Sequence, residues 1–167
     1  MFGFNEKPKV PLRHRKSSYM DLAFQKVPTA HGTWSETPSP LKMLTDGDIH
    51  TPITSRGADD GTDTVYIQID LGQVYEVYEI VIHSGYGGGC KSHPANGGTI
   101  KLKTGLTTTE SDATERDTQT TKSPNYTPIT LHYEGEGIPV RYVFLSMKGD
   151  GSYQQYFRPS EIEVFGC

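Results

Sequence analysis

Apolar and polar residues alternate in short runs along this chain, the pattern of strands with one buried face. Val65, Ile67 and Ile69 alternate with Tyr66, Gln68 and Asp70. Tyr78, Ile80 and Ile82 are set against Val77, Glu79, Val81 and His83, which predicts a strand with an almost wholly apolar middle. Ile100 and Leu102 face one way and Lys101 and Lys103 the other, and Ile129, Leu131 and Tyr133 repeat the period. Residues 140–147, Val-Arg-Tyr-Val-Phe-Leu-Ser-Met, are apolar on both faces and predict a central strand. Ile162 and Val164 close the series. Gly or Pro interrupts the chain too often for helical periodicity to develop. Many short strands separated by turn clusters imply an all-β sandwich or barrel.

Composition narrows this picture. The 167 residues suit one domain with one sizeable core. The 18 glycines and 11 prolines fit short strands joined by long loops. No apolar run approaches the ~20 residues of a membrane-spanning helix. The start, Met1-Phe2-Gly3-Phe4-Asn5-Glu6, lacks the apolar stretch of a secretory signal. Residues 1–20 carry Lys7, Lys9, Arg13, Arg15 and Lys16 against Glu6 alone, and read as a basic flexible arm. The folded domain is expected over 21–167, beginning at Asp21-Leu22-Ala23-Phe24. Since the whole chain has a net charge of −4, this body is acidic, which argues against nucleic acid as the main partner. Cys90 and Cys167 are the only cysteines, and whether they are bridged or free is left open by sequence.

Two polar segments interrupt the strands. Gly85 to Gly98 holds six glycines with Tyr86, Cys90, Lys91, His93 and Asn96, and reads as a binding loop. Thr107 to Asn125, rich in Thr, Ser and acid, reads as a mobile loop without a site. Asn125-Tyr126-Thr127 matches the N-glycosylation sequon. Nothing places a nucleophile beside a base: Gly-x-Ser-x-Gly, His-Glu-x-x-His, the P-loop and the dinucleotide fingerprint are all missing, so the chain does not read as an enzyme. The turn Asp46-Gly47-Asp48 and the terminal carboxylates Glu161 and Glu163 suggest a different chemistry. Hard oxygens on a turn and on a distant strand can be tied together by a hard cation.

Read in order, Asp21-Leu22-Ala23, Thr45-Asp46-Gly47-Asp48, Gln68-Ile69-Asp70-Leu71-Gly72, Ile80-Val81-Ile82, Arg141-Tyr142-Val143 and Ser160-Glu161-Ile162-Glu163-Val164-Phe165-Gly166-Cys167 resemble the discoidin superfamily. That superfamily holds coagulation-factor C-type domains, F-type lectins and galactose-binding-like carbohydrate modules. The resemblance implies a jelly-roll β-sandwich of about eight strands and a noncatalytic, lectin-like module. Its partners would be glycans or glycoproteins, in an extracellular or cell-surface setting. An alternative within the superfamily is a cell-adhesion or receptor-recognition domain with a protein ligand.

The resemblance also implies a structural calcium ion. Carried over residue by residue, its ligands would be Asp46, Asp48 and Glu161, with backbone oxygens near Met43 and Ser160, completed by a hydroxyl or carbonyl of Thr51, Thr54 or Ser55. F-type lectins bind fucose with a His and two Arg on adjacent loops. Here the loop after Ile80-Val81-Ile82 has His83, Lys91 and His93 but no Arg, so fucose specificity does not carry over. The candidate ligand surface is His50, Arg56, His83, Tyr86, Lys91, His93 and Asn96, with Tyr153, Tyr156 and Arg158 from the late loop. The loop tips Thr54-Ser55-Arg56-Gly57 and Gly87-Gly88-Gly89 carry no bulky apolar spike, which disfavours membrane insertion. Homo-oligomerisation would strengthen weak single-site sugar binding through effective concentration.

Overall fold

The computed structural model describes residues 19–57, 64–84, 89–91, 98–121, 129–148 and 156–167. These residues form an antiparallel β-sandwich of the jelly-roll type. In chain order the strands are β1 (Met20–Asp21), β2 (Thr29–His31), β3 (Glu36–Ser39), β4 (Thr54–Arg56), β5 (Thr64–His83) and β6 (Gly89–Lys91). They continue as β7 (Gly98–Gly105), β8 (Thr114–Thr121), β9 (Leu131–Lys148), β10 (Tyr156–Arg158) and β11 (Glu161–Gly166). The larger sheet runs β1-β11-β5-β9-β7-β8, with β2 added to β5; the smaller runs β3-β4-β10-β6.

The alternation read from sequence explains the core. Val65, Ile67, Ile69, Ile80, Ile82, Ile100, Leu102, Leu131, Val143 and Leu145 all enter one buried cluster. Phe157 of the smaller sheet and Leu44 of the 3₁₀ turn Leu41–Thr45 join it, so one core lies under both sheets. Leu22 and Ala23 are also buried there. The apolar run 140–147 is central, as its two apolar faces predict: β9 lies between β5 and β7. One face gives Val143, Leu145 and Met147 to the core. On the other, Phe144 is fully buried, with Tyr66 edge-on at 5.7 Å between ring centroids.

Two expectations fail for identifiable reasons. Val77 was placed opposite Ile80 and Ile82, yet it is fully buried in the same cluster. The β5–β9 register shifts between Val77 and Glu79, and against β11 the neighbours Phe165 and Gly166 pair with Glu79 and Val77, so Tyr78 is one extra residue that inverts the alternation. Tyr78 is thereby turned outward to stack on Tyr19 at 4.6 Å. Within Thr107 to Asn125, expected to be a mobile loop, Glu110–Asp112 forms a 3₁₀ turn and Thr114–Thr121 is strand β8. Threonine is a good strand former, and the ladder from Gly98↔Thr121 to Thr104↔Thr114 pairs this polar stretch with the already buried β7.

The short motifs have local physical causes. Asp70 Oδ1 accepts the Gly72 N–H at 2.8 Å and Arg141 Nε at 3.0 Å, fixing the bend in β5. Asp21 Oδ1 accepts the N–H groups of Ala23 at 3.0 Å and Val164 at 2.9 Å, which pins the start of the described chain to β11. At Gly166 a Cβ would come within 2.3 Å of the Glu76 carbonyl oxygen, so only glycine lets these paired backbones approach so closely. Cys167, the next residue, is exposed and unbridged.

Candidate functional site

The Asp46-Gly47-Asp48 turn follows the 3₁₀ turn Leu41–Thr45 and lies against the start of β11. Its own side chains shape it. Asp46 Oδ1 accepts the Asp48 N–H at 2.9 Å, and Asp48 Oδ1 accepts the N–H groups of His50 at 2.8 Å and Thr51 at 3.3 Å. Hydrogen bonds led by the Thr51 side chain and the His50 N–H hold the Asp48 carboxyl below its ordinary pKa, which favours the ionised form. Gly47, at φ +90°, adopts a left-handed conformation that side-chain-bearing residues rarely take.

Contacts more than a hundred residues apart in sequence tie this turn to the last strand. Gly47 N–H donates to Glu161 Oε1 at 3.1 Å, and Ser160 Oγ donates to the Ile49 carbonyl at 2.7 Å. Ile53 N–H donates to the Pro159 carbonyl at 2.8 Å. On the other side, Gln25 N–H donates to the Thr45 carbonyl and the Thr45 hydroxyl to the Lys26 carbonyl. The turn is thus held between the 23–27 segment and β11.

Glu161 is the unusual member. It is 0% exposed, and its second carboxylate oxygen, Oε2, is buried without a hydrogen-bond partner. Burial pushes its pKa up to about 7; the Gly47 N–H opposes this, while the charges of Asp46, Asp21 and Glu163 reinforce it. A buried carboxylate with an orphan oxygen beside further acids is costly unless a proton or a cation neutralises it. The donor chemistry here, carboxylate and carbonyl oxygens without nitrogen or sulfur, suits a hard cation such as calcium. Among the described residues no three His, Cys, Asp or Glu side chains converge as a ready-made metal cluster. A cation here would have to draw on backbone and hydroxyl oxygens besides Glu161 and Asp46. Ser160 Oγ, already committed to Ile49, holds the turn in place.

The other candidates divide. His50 is exposed on the turn. His83, the register partner of Glu161, bonds through Nε2 to Glu163 Oε2 at 2.7 Å, with both side chains about three-quarters buried. Arg56, Tyr156 and Lys91 fall in one register row across β4, β10 and β6. Three residues taken from distant parts of the sequence are thus neighbours in the smaller sheet. Arg158 lies two residues further along β10, opposite Gly89. Tyr86, His93, Asn96 and Tyr153 lie outside the described residues, as does the Asn125 sequon.

Sequence reasoning passed over the apolar surface around the turn. Phe24 is 48% exposed and Ile49 37%, and a Cβ on Gly47 would touch the Phe24 ring at 3.4 Å. It also passed over His83–Glu163, because cross-strand pairing depends on a register that alternation alone does not fix.

This architecture is a jelly-roll β-sandwich. No protein-family model matches the chain, and no curated protein matches it. Solved structures do. A chitosan-binding module from a chitosanase/glucanase of Paenibacillus sp. IK-5 superposes with a TM-score of 0.56 at 17% identity, over 88% of this chain and 99% of that one. A family 32 carbohydrate-binding module from NanJ of C. perfringens, solved with galactose, gives 0.55 at 18% identity, over 88% and 98%. A fucolectin from striped bass (Morone saxatilis) serum gives 0.59 at 19% identity, over 89% of this chain and 49% of that one. At such identities the likeness is one of fold.

Proposed function

We propose that this protein is a noncatalytic carbohydrate-binding, lectin-like module whose Asp46 turn is locked to β11 by a structural calcium ion. The observation that carries the calcium is Glu161, a fully buried carboxylate with one oxygen unpartnered. Glu161 and Asp46 would hold the ion, helped by Asp48, Thr51 and the carbonyl of Met43. When bound, calcium supplies positive charge that keeps Glu161 ionised and braces the turn; it has no part in bond making. The chain's own residues do the rest. Gly47 N–H and Ser160 Oγ align the turn, and Asp48 fixes its His50–Thr51 limb.

Sugar binding is supported by the fold shared with chitosan- and galactose-binding modules and with a fucolectin. The register row Arg56–Tyr156–Lys91 is where we place the ligand surface. Arginine and lysine donate to sugar hydroxyls, and tyrosine combines a ring for the C–H face with a hydroxyl. A glycan array with and without chelator tests this reading. Binding that Lys91→Ala and Tyr156→Ala abolish supports it. Silence on the array, with a protein partner recovered by pull-down, moves the function to adhesion or receptor recognition.

A further inference from the structure

At the end of β11 away from the Asp46 turn lies a shallow cleft of about 340 Å³, lined by Val74, Tyr75, Glu76, Gly137 and Pro139. It shares no residue with the turn or with the Arg56 row. The turn meets β11 at Glu161, whereas the Glu76 backbone exchanges hydrogen bonds with Cys167, just past Gly166. The six residues of β11 thus separate the two places by roughly 20 Å, at ~3.3 Å per residue.

Strand pairing sets the lining. Tyr75, Glu76 and Val77 of β5 pair with Val140, Pro139 and Ile138 of β9. Val77 and Val140 belong to the buried cluster, with Tyr75 and Ile138 packed against it. The intervening Glu76 and Pro139 therefore face outward as direct neighbours, and Val74 beside them is 54% exposed. Beyond Glu76, the outward-turned Tyr78 stacks on Tyr19, and its hydrogen bond to Glu76 pushes the phenol pKa up. Gly137 decides where the carboxylate lies. A Cβ there would fall 2.3 Å from Glu76 Oε1, so the bare backbone leaves the carboxylate room to lie across β9. Gly137 is not left-handed, so this close approach alone calls for glycine.

No ammonium or guanidinium side chain lines the cleft. Among the described residues, neither Glu76 nor the exposed Glu134 and Glu136 just before Gly137 forms an ion pair. The cleft thus offers unbalanced negative charge beside an apolar ledge of Val74 and Pro139. Its match is a cation at the edge of a body that carries both C–H groups and hydroxyls. We propose that this cleft is a second glycan subsite, selective for an amino sugar whose amine is free. The ammonium donates a charge-assisted hydrogen bond to Glu76, and the C–H face of the ring lies on Val74 and Pro139. An N-acetylated sugar lacks the charge, and an anionic sugar is repelled by it. Two subsites on one sandwich raise affinity, through effective concentration, for a polysaccharide long enough to span them. This inference extends the glycan-binding reading, but its ligand class comes from the cleft alone.

The test is an amide chemical-shift titration of the full chain at pH 6 with triglucosamine, its fully N-acetylated counterpart, and spermidine. The amides of Val74, Glu76 and Gly137 are expected to move with triglucosamine and not with the acetylated trimer. Spermidine supplies ammonium groups without a sugar ring and is expected to move them far less. Glu76→Gln, which removes the charge and keeps the shape, is expected to weaken triglucosamine binding roughly tenfold. Gly137→Ala keeps the charge but displaces the carboxylate, and is expected to weaken binding as well. The inference is overturned if triglucosamine leaves these amides unmoved, if either comparison ligand moves them equally, or if Glu76→Gln binds as the parent does. Unmoved amides in a protein that still binds glycans on the array would sink the cleft alone. Amides that move while an array of neutral glycans stays silent would support the cleft and sink the Arg56 row.

Discussion

Replacing Glu161 with glutamine tests the clamp, because it removes the charge and keeps the shape. In the metal-free protein the Glu161 pKa is about 7 against an ordinary 4.5, so folding takes up a proton at this site. A raised carboxylate pKa stabilises the fold fully below pH 4.5, and that contribution is lost as pH rises through 7. The interval corresponds to about 3 kcal/mol at its upper limit, and relaxation of the exposed turn lowers this to roughly 2 kcal/mol. Glutamine can still accept the Gly47 N–H, and its amide does not ionise.

In chelator, Glu161→Gln should therefore match the parent near pH 5 and exceed it by about 2 kcal/mol at pH 8, roughly 4–8 °C in Tm. With millimolar calcium the order should reverse, since the ion stabilises only the protein whose ligand can be charged. Thermal melts across pH 5–8, with chelator and with calcium, read both effects. A variant less stable than the parent by the same margin at pH 5 and pH 8 in chelator would refute the reasoning about Glu161.

Further outcomes follow from neighbouring features. Asp46→Ala should abolish any calcium-dependent rise in Tm. Phe157→Ala, which empties the largest side chain that the smaller sheet gives to the core, should cost about 3–5 kcal/mol in a denaturant titration. Gly166→Ala should force β11 off the Glu76 backbone, with a loss of more than about 2 kcal/mol and weakened hydrogen-exchange protection at Glu76 and Cys167. A thermally neutral Gly166→Ala would mean that the pairing is looser than the 2.3 Å clash of an added Cβ implies.

Much of the fold was legible along the chain. Strands such as 64–71 and 140–147 announce themselves because burial is set by local alternation, which one sheet face enforces. Two of the short motifs were legible too, and the structure gives them reasons: Asp70 accepts the Gly72 N–H and holds Arg141, and Gly166 admits the close approach of the Glu76 backbone. Strand β8 was missed because its residues are polar on both faces; it is a strand through its pairing with β7. The inverted phase at Val77 was missed because a single bulge leaves no compositional trace.

The candidate site divides the same way. The residue types and their order marked Asp46, Asp48 and Glu161 as oxygen donors before any coordinates. That Glu161 is wholly buried, bonded by Gly47 and left with one oxygen unmatched is a consequence of how β11 packs against the turn. So is the meeting of Arg56, Tyr156 and Lys91 in one row, and of Glu76 and Pro139 at one cleft. Periodicity and residue chemistry are local properties, carried by the chain itself. Burial, register and the charge state they impose arise only between segments distant in sequence, and those are the quantities that turn donor atoms into sites.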